Sequence, residues 1–159
     1  MSRRSPTSDR THDDPAPDDD DYRRLLELRT GLRQFLHWSE QQATAVGITP
    51  AQHQLLLAIR GQVGGPAPTI GDVAESLLLR HHSVVGLVDR AVEAGLVVRQ
   101  VDPTDHRVVR LGLTALGARR LRQLSGVHLE ELRRLAPRMR SLWSNLDQLD
   151  DGRRDRSGR

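Results

Sequence analysis

The chain reads as a mainly α-helical fold with a small β-wing, in which a winged helix-turn-helix lobe joins a helical dimerisation region. Three observations predict it. Two short amphipathic helices follow one another within residues 69–95. Two short strands come directly after them, separated by a charged, turn-forming tip. Long segments of helical periodicity flank this module on both sides.

The first long segment, residues 22–46, spaces Tyr22, Leu25, Leu32, Phe35, Leu36 and Ala43 near helical intervals and ends at Gly47. Thr49-Pro50 is a cap followed by proline at the first helical position, opening a helix with Leu55, Leu56 and Ile59. Residues 61–68 form a glycine- and proline-rich loop. Thr69 with Asp72 fits a helix N-cap with an acidic third position, and Val73, Ala74 and Leu77 make the apolar stripe of a short helix. A second helix, from about His81 to Ala94, sets Val84, Leu87, Val88 and Ala91 on one face. His82, Ser83, Gly86, Asp89, Arg90 and Glu93 occupy the other, and Gly95 closes the last turn. Strands follow at residues 96–100 and 108–113, where Val109, Leu111 and Leu113 alternate with Arg110 and Gly112. Thr114 caps a helix through Leu121, Leu124, His128 and Leu132, and Pro137 opens a last helix with Leu142, Leu146 and Leu149 on one stripe. The outer helices carry more apolar surface than one small winged domain needs, which argues for a second copy as partner.

A hairpin placed straight after the second helix is a device for holding a nucleic-acid duplex. The helix enters a major groove while the tip reaches the neighbouring minor groove. Charge agrees. Residues 1–21 carry a net −4, residues 22–149 a net +6 and residues 150–159 a net +1, so the body is basic and suits a phosphate surface. The aromatic residues Tyr22, Phe35, Trp38 and Trp143 all lie in the outer helices, which disfavours single-strand stacking and favours duplex DNA.

Other functions are poorly served. Every basic residue other than histidine is arginine, so no phosphate-loop lysine or Schiff base exists, and the nucleophile-elbow and zincin motifs are missing. We therefore expect no enzyme and no cofactor. With no cysteine, disulfides, thiolate catalysis and thiol redox sensing are excluded. His37 with Glu40, and His128 with Glu131, have the i,i+3 spacing of two ligands on a helix face, although solvated helix faces are the ordinary reading of such pairs. The acidic, proline-containing residues 1–21 read as a disordered tail and residues 150–159 as a flexible one. No signal-peptide core or membrane-length apolar run occurs, so a cytoplasmic location is expected.

Leu87-Val88-Asp89-Arg90, Gly95-Leu96-Val97, Asp102-Pro103-Thr104-Asp105-His106-Arg107 and Leu113-Thr114 with Gly117 resemble the MarR family of bacterial transcriptional regulators. Gly47-Ile48-Thr49-Pro50-Ala51-Gln52 resembles the family's opening of its second helix, and the resemblance extends over residues 22–149. It implies a helix-turn-helix at 69–95, a wing at 96–113 and dimerisation helices at 22–46 and 115–149. It also implies a homodimeric repressor on an imperfectly palindromic duplex. Arg107 would be the minor-groove arginine and Asp105 the carboxylate steadying the tip, with His106 where another arginine is common. His81, His82, Ser83, Gly86 and Arg90 would face the major groove, with Arg99 and Arg110 on the wing. Where many members carry Lys, Arg or Thr on the groove-facing helix, this chain has His81, His82, Ser83, Val85 and Gly86, which shifts recognition toward shape and the wing. A small, often aromatic and anionic effector would bind between the dimerisation helices and the DNA-binding lobe, with His37, Trp38, Gln41 and His53 as candidates. A sequence-independent architectural DNA-binding protein and a metal-responsive regulator using the helix histidines are the alternatives.

Overall fold

The computed structural model describes residues 16–156, with the side chains of residues 138 and 141–156 outside that description. The elements run α1 (Asp19–Ala45), α2 (Pro50–Gly61), α3 (Ile70–Leu77), α4 (His81–Glu93), β1 (Val97–Val101), β2 (Val109–Leu113) and α5 (Ala115–Arg156). This is the expected mainly α fold with a small wing.

Local chemistry sets the helix starts. Thr49 and Gln52 close a capping box on α2, with Gln52 N–H donating to Thr49 Oγ1 at 3.1 Å and Thr49 N–H to Gln52 Oε1 at 2.9 Å. Thr69 and Asp72 do the same for α3. A third box, on Asp18 and Asp21, starts α1 at Asp19, inside the stretch read as tail. Three aspartates fill that first turn, where carboxylates complement the positive end of the helix dipole. Residues 1–15 of the expected tail lie outside the described residues.

At the other end, α5 is one helix of 42 residues that contains Pro137, rather than two helices meeting there. Proline's fixed φ is already helical and removes a single ladder bond, to the carbonyl four residues back. The helix continues to Arg156, into the stretch read as a flexible tail. The expected stripe of Leu142, Leu146 and Leu149, and Trp143, fall outside the described side chains.

The core sits where the short helices meet the sheet and the first turns of α5. Leu55, Leu56, Val73, Val84, Val88, Leu111 and Leu124 are fully buried, with Ala43 of α1 at the margin. The strands pair antiparallel, Val97 opposite Leu113 and Val101 opposite Val109, and Thr69 bridges to Arg110 as a short third edge. Leu111 points inward as its period predicts, whereas Val109, near the tip, is exposed.

The Leu-Thr-x-x-Gly segment joins wing to α5. Thr114 Oγ1 donates to the Gly95 carbonyl at 2.6 Å and accepts from Gly117 N–H at 2.9 Å, while Thr114 N–H donates to the Leu96 carbonyl at 3.0 Å. A side chain on Gly117 would put its Cβ 2.1 Å from the Leu96 oxygen, so only glycine lets α5 approach this closely. Among the described residues, no helix is long and apolar enough to cross a membrane.

Candidate nucleic-acid interface

Helix α4 buries Val84, Leu87, Val88 and Ala91 and turns His81, His82, Ser83 and Arg90 to solvent. Arg80 at its N-cap offers no side-chain hydrogen bond, so the amides of the first turn lack a side-chain cap. That is the polarity a phosphate meets favourably. Gly86 has no side chain to reach a base, but it is not vacant surface. The Nη1 of Arg90, one turn on, lies 3.4 Å from where a Cβ would stand. Helical side chains lean toward the N-terminus, so Arg90 covers the position that Gly86 leaves bare.

Asp102 organises the wing. Its carboxylate is buried and accepts from Thr104 Oγ1 at 2.6 Å, Thr104 N–H at 2.8 Å and Asp105 N–H at 3.1 Å, and from Arg110 Nε. The Thr104 hydroxyl, then Arg110, then the two amides hold its pKa well below the usual carboxylate range. Asp105, the residue expected to steady the tip, has the smaller part: its Oδ1 accepts from Arg107 N–H at 3.0 Å and lies 3.7 Å from Arg107 Nε. The turn-forming Asp-Pro-Thr-Asp run is the signal that points to Asp102, because an aspartate at that place caps the amides two and three residues on.

The predicted wing arginines differ in state. Arg107 has 95% of its side chain exposed, and His106 beside it is exposed too. Arg99 pairs with Asp89 of α4 at 2.6 Å, tying β1 to the helix. Arg110 is only 22% exposed; it holds Asp102 and donates from Nη1 to the Ala67 carbonyl at 2.7 Å. Its guanidinium is an internal strut between the wing and the α2–α3 loop.

The effector candidates do not converge on one cavity. His37 and Gln41 join Nε2 to Nε2 at 3.1 Å and line a groove of about 520 Å³ with Glu40, Thr44 and Pro50. Trp38 lines a different cleft of about 420 Å³ between α1 and α5, with Phe35, Arg134 and Met139. His53 is buried under His128, their ring centroids 4.8 Å apart, and His128 also contacts Trp38 at 4.9 Å. Burial first, and His128 second, push the His53 pKa down. Phe35 and His128 thus belong to this junction, which α1, α2 and α5 share. His128 Nδ1 faces the Leu124 carbonyl at 2.7 Å, an obligate acceptor, so in the neutral ring Nδ1 carries the proton and Nε2 accepts from Ser39 Oγ at 2.7 Å. Glu131 is held by Nε and Nη2 of Arg134, so the His128–Glu131 pair does not assemble as metal ligands. Among the described residues no three His, Asp or Glu come together as a metal site.

Two short tandem helices followed by a hairpin locked on a buried aspartate define a winged helix-turn-helix protein. Residues 46–108 match the model of the MarR family. Solved structures share the fold. A variant of MepR from Staphylococcus aureus, bound to an oligodeoxyribonucleotide, is 21% identical with a TM-score of 0.58, covering 82% of this chain and 96% of that one. CouR from Rhodococcus jostii, bound to p-coumaroyl-CoA, is 25% identical with a TM-score of 0.60, covering 80% and 92%. A MarR family transcriptional regulator from Rhodococcus sp. is 23% identical with a TM-score of 0.61, covering 82% and 96%. No curated protein matches the chain in sequence.

Proposed function

We propose that this chain is a dimeric, sequence-specific regulator of transcription, a repressor that lays α4 in the major groove of duplex DNA and Arg107 in the adjacent minor groove. The observation that carries the reading is the wing tip: an almost wholly exposed arginine on a hairpin locked by a buried carboxylate. A stiff loop presenting a solvated cation reaches a narrow groove without losing much chain entropy on binding. The MepR variant solved with an oligodeoxyribonucleotide supports the same use of the fold.

Dimerisation is supported by apolar side chains left in water on the outer helices. Leu25, Leu26, Leu32 and Leu36 of α1 are exposed, as are Val127, Leu129 and Leu132 of α5. A second copy covering them gives the two reading helices a twofold relation. Release by a small organic effector is supported by the cleft at Trp38 and by CouR's p-coumaroyl-CoA. Such a ligand acts only through its differential affinity for the DNA-competent and incompetent shapes.

Arg107→Ala tests the wing. Affinity for a preferred duplex should fall by about 1–3 kcal/mol if the side chain reads the minor groove. If it meets phosphate alone, the loss is uniform across sequences and the salt slope drops by about one. Unchanged affinity would remove the wing from the account, and equal affinity of the parent protein for all duplexes would make it an architectural protein.

A further inference from the structure

Helix α4 divides its apolar residues unevenly. Val84, Leu87, Val88 and Ala91 are buried in the core. Val85 is partly exposed and stands outside both the core cluster and the side chains packed against it. Its neighbours on the helix surface carry hydrogen-bonding groups. His81 and His82 lie one turn before it, and Asp89, paired with Arg99 at 2.6 Å, lies one turn after. Gly86 is covered by Arg90, whose Nη1 lies 3.4 Å from the place of a Cβ. Val85 is thus the one apolar side chain that the first two turns of α4 leave to solvent, ringed by polar groups. A helical side chain leans toward the N-terminus, so Val85 covers the turn that opens the helix. That is the end a reading helix sets against base edges.

We propose that Val85 selects thymine at one position of each half-site, by contact with its C5 methyl group. The argument is one of chemical complement. The base edges in a major groove present donors, acceptors and a single apolar group, the thymine methyl. Valine has no hydrogen-bonding atom, so the methyl is the feature it can recognise. Cytosine at the same place turns its amino group toward the valine and loses water without gaining a partner. The chain therefore keeps direct readout on α4 at a position without hydrogen bonds. This inference rests on the reading of α4 as the helix in the groove.

Uracil in place of thymine removes that methyl and nothing else. Duplexes are first selected from a random pool by the full chain, and each thymine of the enriched site is then replaced by uracil in turn. We expect one thymine per half-site whose replacement weakens the parent about fourfold, the worth of one buried methyl group. Val85→Ser should bind the thymine and uracil duplexes alike, while Val85→Ile and Val92→Ala, the latter two turns further on, keep the parent's difference. Serine and isoleucine match valine in helix propensity and the side chain lies outside the core, so both variants should melt with the parent. A uracil scan that is flat at every position, or a difference that survives Val85→Ser, would overturn the proposal while the enriched site leaves the regulator reading standing. A pool with no enriched duplex would overturn both.

Discussion

Gly117→Ala is the substitution whose cost the structure lets us work out most fully. A Cβ there would stand 2.1 Å from the Leu96 carbonyl oxygen and 3.1 Å from its carbon, where ordinary contact begins at 3.4 Å. The obstacle is backbone at the start of β1, so it does not swing aside like a side chain. Opening roughly 1.3 Å moves α5 off the sheet and breaks two bonds at Thr114, to the Leu96 carbonyl at 3.0 Å and the Gly95 carbonyl at 2.6 Å. Overpacking costs about 2 kcal/mol and each lost bond about 1, while alanine returns about 1 through helix propensity. The net loss is about 3 kcal/mol, or about 10 °C in melting temperature for a chain of this size. Thermal unfolding followed by circular dichroism, at one protein concentration, reads it. Gly126→Ala supplies the control: same helix, nothing within 4 Å of the added Cβ, and an expected gain of about 1 kcal/mol. If Gly117→Ala melts with the parent, the close approach does not hold wing and α5 together.

Three further outcomes are open to measurement. The fold depresses the His53 pKa and so favours its neutral form; stability is complete above the unfolded value of about 6.5 and declines as pH falls below it. Denaturant midpoints at pH 7.5 and 5.5 should show that decline in the parent and much less in His53→Gln, and parallel curves would count against it. Asp102→Asn keeps the shape but gives up the charge on which Thr104, Asp105 and Arg110 converge. Exchange of the Thr104 and Asp105 amides should quicken and duplex binding should weaken several-fold, with α-helical content unchanged; an unaltered exchange rate would show that the wing holds itself. Gly86→Ala places a methyl 3.4 Å from Arg90 Nη1 and should change base preference more than overall affinity, whereas an unchanged selected sequence would mean Arg90 reads nothing there.

Much of the fold was legible because its signals are local. Thr49-Pro50, Thr69 with Asp72 and Gly95 each act within a few residues, and the structure keeps each of them; of the alternation around Leu111 it keeps the strand and the burial of Leu111 but leaves Val109 exposed. The misplaced boundaries show local chemistry overriding composition. Asp18 to Asp21 read as an acidic tail, yet the same carboxylates cap and charge a helix start. Pro137 read as a helix opener, yet a helix of 42 residues runs through it. The surroundings of the candidate site residues were not legible in the sequence. Arg99, Arg107 and Arg110 look alike in sequence; Asp89, Asp105 and Asp102 give them different partners, fixed by strand register and by the path of the α2–α3 loop. His37 and Trp38 are neighbours in the chain but face different grooves, because successive helical residues point about 100° apart. The pairing of His53 with His128 comes from α2 meeting α5, which no local pattern encodes.

The central claim is that two copies of α4 and its wing read a duplex in sequence. Selection of bound duplexes from a random pool, with the full chain at physiological salt, tests it most directly. The account predicts enrichment of an imperfect palindrome whose half-sites lie roughly 10 base pairs apart, one helical turn, with the enriched duplex bound at least about 1,000-fold more tightly than the starting pool. A pool that stays unenriched, or an enriched site without dyad symmetry, would contradict it.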